Sequence, residues 1–125
     1  MKKIISTEKV SEVVGPYSQA VEAGGFVFLS GQIPLKVDGT IIDGDIKDQT
    51  KQVLDNIGEI LNASGLNYEN VAKVTVYLSD MSDFREMNEV YIKYFKKDFP
   101  ARSTIQVSEL PKEVGIEMDV IAAKE

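Results

Sequence analysis

The 125-residue sequence contains neither cysteine nor histidine. Without cysteine the chain has no disulfide framework and no thiolate site, and the lack of disulfides suits a reducing compartment. Without histidine it has neither Ser-His nor Cys-His catalysis, and no His- or Cys-ligated metal site. Carboxylate, tyrosine, lysine, arginine and backbone groups are left to carry any chemistry, so we expect no metal and no organic cofactor.

Basic residues are outnumbered, with 14 against 20 acidic ones and a net charge of -6. This charge has the wrong sign for binding phosphate backbones, so we expect no nucleic-acid partner. A long apolar run is missing as well, because the first stretch, MKKIISTEKVSEV, returns to charged residues within a few positions. It predicts neither a signal peptide nor a membrane span, and we expect a cytoplasmic protein.

The residues that are present predict one domain over 1–125, because a chain of this length buries about two-thirds of its unfolded surface around a single core. Gly24 and Gly25 separate two short apolar runs and predict a hairpin, since both tolerate the positive φ of a tight turn. The stretch VDGTIIDGDIKD is rich in aspartate and glycine. Its spacing fits no calcium loop, so we assign it to turns and a helix cap.

Apolar spacing predicts a first helix that begins at Asp45 or Asp48 and runs to about Ser64, where Gly65 supplies a left-handed terminator. One face of this helix carries the apolar residues Val53, Ile57, Ile60 and Leu61.

A second helix is predicted from a cap at Ser82 or Asp83 to a stop imposed by Pro100. Asn88 falls on its apolar face, where it is either a hydrogen-bonded core amide or an amide that faces a pocket. The apolar residues of this face are Phe84, Met87, Tyr91 and Phe95.

Three later segments alternate with the period of a strand: NVAKVTVYLSD, ARSTIQVS and GIEMDVIAA. In ARSTIQVS the pattern places Ile105 and Val107 towards the interior and Arg102, Thr104 and Gln106 on the other side. In the last segment one side is apolar and the other mixed: Ile116, Met118 and Val120 oppose Glu117, Asp119 and Ile121.

The order of strands, helix, strand, helix and two strands predicts an α+β fold, a mixed β-sheet with two helices packed on one face. The second sheet face combines apolar and polar side chains, so we expect it to pack against another copy of the chain. A site at that junction would explain the mixed polarity. The predicted members of this face are Tyr77, Ile121, Ala123, Thr104 and Glu117.

Four motifs, GPYSQA, FLSGQIP, FPARSTIQVSELP and GIEMDVIA, together resemble the reactive-intermediate deaminase family, RidA or YjgF-like. The resemblance implies a homotrimer of chorismate-mutase-like α+β subunits, with a central β-barrel and ligand clefts between subunits. It implies hydrolysis of 2-imino acids and their enamine tautomers, such as 2-aminoacrylate, 2-iminopropanoate and 2-iminobutanoate, to 2-keto acids and ammonia. Such intermediates escape from pyridoxal-phosphate enzymes, notably serine and threonine dehydratases, and damage other such enzymes.

Carried over by position, the resemblance assigns Arg102 to the substrate carboxylate and Glu117 to the hydrolytic water. Thr104 departs from the pattern, because many active members have cysteine at this position. The wall of the same cleft is assigned to Tyr17, Ser30, Gly31, Asn88 and Thr104.

Physical chemistry agrees with these roles. A guanidinium fork at Arg102 can grip a carboxylate at two points and fix the adjacent imine carbon. A carboxyl group at Glu117 can hold or deprotonate water, and the Tyr17 hydroxyl can donate a proton to departing ammonia. The sequence leaves other readings open: Glu117 as a solvated sheet residue, Tyr17 as a turn aromatic, and Gly31 as a strand-end turn.

Two other functions stay open at this point. One is a non-catalytic regulator or chaperone that binds small carboxylates, which needs Arg102 but no placed water. The other is an endoribonuclease or translation inhibitor, which the acidic balance and the lack of histidine disfavour.

Overall fold

The computed structural model describes residues 1–124 as six strands and two α-helices. The strands are β1 (Lys3–Ile5), β2 (Ala20–Ala23), β3 (Phe26–Gln32), β4 (Val71–Leu78), β5 (Ala101–Gln106) and β6 (Ile116–Ala123). The helices are α1 (Ile46–Ala63) and α2 (Phe84–Tyr94). Short 3-10 turns occupy Tyr68–Asn70, Met81–Asp83 and Pro111–Glu113.

The strands form one sheet in the order β1-β2-β3-β6-β4-β5. Neighbouring strands are antiparallel except β4 and β5, which run parallel and are joined through α2. The buried sides of both helices share one apolar core with one face of this sheet. The predicted α+β fold with a mixed sheet and two helices is therefore confirmed.

Local sequence determines the first helix as predicted. The backbone N–H of Asp48 donates to the Asp45 carboxylate at 3.0 Å, and the backbone N–H of Asp45 donates to the Asp48 carboxylate at 3.2 Å. This reciprocal pair is a capping box that satisfies two backbone N–H donors at the start of the helix. At the other end Gly65 takes a φ of 78°, and the Leu66 N–H bonds back to the Leu61 carbonyl at 2.9 Å. Gly24 and Gly25, with φ of 61° and 84°, likewise form the predicted hairpin turn.

The predicted start of α2 is confirmed in position, because Asp83 is the N-cap residue directly before Phe84, but the predicted end is wrong. The side-chain capping bond comes earlier, from Asp80, whose carboxylate accepts from the Ser82 N–H at 2.9 Å and caps the 3-10 turn that leads into the helix. Asp83 makes no capping hydrogen bond. The helix ends at Tyr94, well before Pro100, because Phe95 turns to an extended conformation and is buried in the core.

The predicted facing of β5 is also wrong. Ile105 is 44% exposed, whereas Arg102 and Thr104 are half-buried on the helix side of the sheet. The parallel register with β4 explains this, since it pairs Arg102 with Val74 and Thr104 with Val76, both of which lie in the core. Thr104 therefore lies on the opposite face from Glu117, not on the same face as predicted.

The other sheet face is uncovered by any helix in residues 1–124. It holds the predicted Tyr77, Ile121, Ala123 and Glu117 at half-buried positions. Phe26 and Phe28 of β3 extend its apolar area, with exposures of 44% and 40%. We call this surface the open face. No helix in the described part of the chain is long and apolar enough to cross a membrane.

Candidate active site

Arg102 lies at the start of β5 beneath α2. Its Nη1 donates to the Asn88 side-chain oxygen at 2.7 Å, and its Cζ lies 4.7 Å from the ring centroid of Tyr91 and 5.6 Å from that of Phe84. These three partners stand at i, i+4 and i+7 of α2, which is one face of a helix. We call Phe84, Asn88, Tyr91, Arg102 and Thr104 the arginine cluster.

The guanidinium of Arg102 has no acidic partner among residues 1–124. The three ion pairs found there involve lysines only: Lys47 with Glu89, Lys51 with Asp55, and Lys124 with Glu22. A half-buried cation held by one neutral amide and two aromatic rings has lost hydration without gaining a counter-charge. Such a group favours an anion that approaches its remaining N–H donors.

Two hydroxyls of the arginine cluster, Tyr91 Oη and Thr104 Oγ1, are buried without a hydrogen-bond partner in residues 1–124. Burial raises the pKa of Tyr91, and the charge of Arg102 opposes this shift. Buried orphan hydroxyls are uncommon in native proteins and call for an explanation. Here both hydroxyls lie next to Arg102: Tyr91 contacts it from α2, and Thr104 follows it on the same face of β5.

A second group of residues lies where β3 bulges. The register with β6 slips between Leu29 and Gln32, which places Ser30 and Gly31 in the irregular step. Ser30 Oγ donates to the Ser18 carbonyl at 2.6 Å. Gly31 lies against Glu117, so closely that a Cβ at this position would come within 2.9 Å of the Glu117 Cδ. We call Ser30, Gly31 and Glu117, together with Tyr17 of the adjoining loop, the glutamate cluster.

Tyr17 is linked to the bulge of β3 only through the backbone of its loop. The loop is tied to β3 by the Ser18 bond and by the Ser30 N–H, which donates to the Gln19 carbonyl at 2.9 Å. The Gln19 side chain is buried and exchanges hydrogen bonds with the backbone of Thr7 at 2.8 and 3.1 Å. The Tyr17 ring itself is 57% exposed.

Glu117 is half-buried on the open face. Burial raises the pKa of its carboxyl group, and the negative charge of Asp119 raises it further. Asp119 in turn accepts a hydrogen bond from Tyr77 Oη at 2.8 Å, and that bond raises the pKa of Tyr77 to about 12. A carboxyl with a raised pKa is a better acceptor of a proton from water near neutral pH than an ordinary glutamate.

One chain does not bring the two clusters together. In the sheet Arg102 is level with Val120, and Glu117 is level with Ile105. Arg102 and Glu117 are therefore three residues apart along the strands, two strands apart across the sheet, and on opposite faces. Standard strand spacings put their Cα atoms about 14 Å apart.

The structure thus divides the predicted site residues into two sets. Arg102, Asn88 and Thr104 fall in one cluster, and Ser30, Gly31 and Glu117 in the other. Tyr17 lies on the loop beside the second cluster. Sequence reasoning placed Tyr91 and Phe84 in the core and did not assign them to the site, although their spacing from Asn88 could have indicated it. It also did not single out Gln19, whose hydrogen bonds to Thr7 and Ser30 become visible only in the folded loop.

The fold is that of a small single-domain α+β protein, and the sequence matches the family described as Endoribonuclease L-PSP over residues 7–124. The chain belongs to this family, which includes the RidA and YjgF-like proteins predicted from its motifs. A RutC family protein of Pyrococcus horikoshii is 56% identical over 126 residues, covering 100% of both chains. Human 2-iminobutanoate/2-iminopropanoate deaminase is 44% identical, covering 98% of this chain and 90% of the human protein.

Solved structures of relatives agree with the fold. The crystal structure of E. coli TdcF with bound serine superposes with a TM-score of 0.93 at 40% identity, covering 98% of this chain and 99% of the other.

Proposed function

We propose that this protein is a hydrolytic deaminase of small 2-imino acids and their enamine tautomers, with 2-iminobutanoate and 2-iminopropanoate as substrates. Water adds to the C=N bond, ammonia leaves, and a 2-keto acid remains. The observation that carries the proposal is Arg102, a half-buried cation without an acidic partner in residues 1–124. Deaminase relatives at 44% identity support the reaction type.

The arginine cluster binds the substrate carboxylate. With Nη1 engaged by Asn88, the guanidinium keeps other N–H groups for a planar carboxylate. Thr104 forms part of the wall beside it. Fixing the carboxylate fixes the imine carbon, which supplies much of the catalytic advantage for a small substrate.

The glutamate cluster handles water and protons. Glu117, with its raised pKa, positions and deprotonates the attacking water, while Tyr17 donates a proton to the departing amine. Ser30 and Gly31 form the adjoining wall. No cofactor takes part in this scheme, and pyridoxal-phosphate dehydratases would be the source of the imines.

Because the clusters lie on opposite faces of one sheet, we propose that each active site combines the arginine cluster of one subunit with the glutamate cluster of the next. The exposed Phe26, Phe28 and Ile105 give the open face the apolar character of a surface that packs on another copy. Closure of three sheets around an axis, as a β-barrel, would complete three such sites in a homotrimer.

A second candidate is a carboxylate-binding protein without turnover. It is favoured by one observation, the bound serine named for the TdcF structure, because binding needs only the arginine cluster. The family description, Endoribonuclease L-PSP, names a third activity, which the net charge of -6 disfavours.

Three variants separate catalysis from binding. Arg102→Ala should lose about 2–5 kcal/mol of transition-state binding, Arg102→Lys should recover part of it, and Glu117→Gln should lose turnover but keep affinity for 2-ketobutanoate. The measurements are imine hydrolysis, coupled to a threonine dehydratase, and calorimetric binding of 2-ketobutanoate. Arg85→Ala removes the only other arginine, which is exposed, and serves as the control. A folded Arg102→Ala variant within about threefold of the parent would contradict the proposal.

A further inference from the structure

We propose that Tyr91 is a positioning residue, and that its ring fixes the plane in which Arg102 presents its guanidinium to the substrate carboxylate. The inference rests on the proposed function and adds a residue to it. Sequence patterns place Tyr91 in the core, and indeed only 6% of it is exposed.

The contacts of Tyr91 indicate this role. The Arg102 Cζ lies 4.7 Å from its ring centroid, nearer than the 5.6 Å to the more exposed Phe84. A guanidinium over an aromatic face is attracted by the ring quadrupole, more strongly when water is excluded. The Asn88 bond holds one nitrogen, which alone leaves the guanidinium free to rotate about that contact. A ring against its face restricts this rotation.

The ring of Tyr91 is itself held in place. It packs on Phe95 with 4.6 Å between the ring centroids, and Phe95 packs edge-on against Tyr68. Phe95 is buried where the chain leaves the helix. The aromatic core at the end of α2 therefore holds the Tyr91 ring, and the ring in turn orients Arg102. This contact requires no acidic residue beside the arginine.

The ring and the hydroxyl of Tyr91 are separable. Tyr91 Oη has no partner of good hydrogen-bond geometry in residues 1–124, although Arg102 is close enough to oppose the rise that burial causes in its pKa. The ring contact is therefore the better-defined of the two. Tyr91→Phe should therefore keep the positioning effect, whereas Tyr91→Leu should lose it. Tyr91→Met is a second ring-free variant that fills the core well if leucine impairs folding.

The experiment reads Arg102 directly. The chain has only two arginines, so a 15N spectrum of the Nε–Hε groups should give one signal for Arg102 and one for the exposed Arg85 as an internal reference. In Tyr91→Leu and Tyr91→Met the Arg102 signal should move towards that of Arg85 and exchange faster with solvent. The dissociation constant for 2-ketobutanoate should rise about 5- to 30-fold.

Tyr94→Leu is the matched control, because it removes a tyrosine ring from the same helix that packs on Tyr68 and not on Arg102. It should lower stability without moving the Arg102 signal. An unchanged Arg102 signal in both ring-free variants would overturn the inference, as would a loss in Tyr91→Phe equal to that in Tyr91→Leu. If the parent protein binds no 2-ketobutanoate, the proposed function fails, and the Nε–Hε signal still decides the role of Tyr91.

Discussion

At the residue scale, Gly31 and Glu117 share one small volume. Gly31 has no unusual φ, so the requirement for glycine is steric: a Cβ here would overlap the end of the Glu117 side chain. Any larger residue at position 31 would therefore force the Glu117 side chain to move. The Glu117 carboxylate can occupy its position only because Gly31 has no Cβ.

Gly31→Ala should consequently impair catalysis more than folding. The flexible Glu117 side chain can swing away, so the thermal midpoint should change little, but a carboxylate misplaced by about 1 Å can cost about 100-fold in rate. Imine hydrolysis and thermal denaturation measured side by side test this. In the Glu117→Ala background the same substitution should cause almost no further loss, and additive losses would count against the coupling.

The pH profile reports the ionisation of Glu117. Its pKa is raised, so activity that needs the carboxylate should fall with decreasing pH earlier than an ordinary glutamate would allow. Asp119→Asn removes the charge that contributes to this rise while leaving an oxygen to accept from Tyr77. The acid limb of kcat/KM should move to lower pH, though not fully, because burial remains the larger cause. Asp43→Asn, which removes an exposed charge outside the glutamate cluster, is the control and should leave the acid limb in place. An acid limb that Asp119→Asn also leaves in place would argue against Glu117 as the base.

At the scale of single elements, α1 depends on its capping box. Asp45→Ala removes the acceptor for the Asp48 N–H and should cost about 0.5–2 kcal/mol. For a domain of this size, a loss of 1 kcal/mol lowers Tm by about 3–5 °C. Thermal denaturation at fixed protein concentration measures it. Asp43→Ala removes an equal charge two residues earlier and should have little effect, whereas equal losses would mean that charge matters and the cap does not.

Elements with local signals were predictable. The caps of α1 and the Gly24-Gly25 turn follow from residues within a few positions of each other, so sequence alone located them. The start of α2 at Asp83 was located too, although the side-chain capping bond comes from Asp80 in the 3-10 turn before it. The end of α2 did not follow, because Phe95 leaves the helix to reach the core. Tertiary packing overrode the stop expected from Pro100.

The facing of β5 was not predictable either. Its alternation allows Ile105 or Arg102 to point inwards, and only the parallel register with β4 decides between them. The identities of Arg102, Asn88 and Glu117 as candidates came from motifs. Their division into two clusters follows from the strand order and register of the sheet, which cannot be read from spacing in the sequence.

At the scale of the whole molecule, the two clusters predict complementation between variants. Arg102→Ala and Glu117→Gln should each be nearly inactive alone. If they are unfolded together and refolded as mixed assemblies, a site regains both groups when each comes from the intact chain, which random mixing gives for about one quarter of sites.

Hydrolysis rates before and after co-refolding measure this, with each variant refolded alone as the control. Sedimentation should show a homotrimer throughout. A mixture that stays at the sum of the separate activities, or a fully active parent monomer, would contradict a site shared between subunits.

During synthesis on a ribosome, β6 emerges after the other five strands, yet it lies between β3 and β4 in the sheet. The β1-β2-β3 unit and the β4-α2-β5 unit have no hydrogen-bonded strand in common until β6 arrives. Until then both units keep apolar strand faces exposed, and such surfaces aggregate readily and are bound by chaperones. The nascent chain is therefore expected to fold only once residue 123 has left the ribosome, so both units stay exposed until the last strand is made.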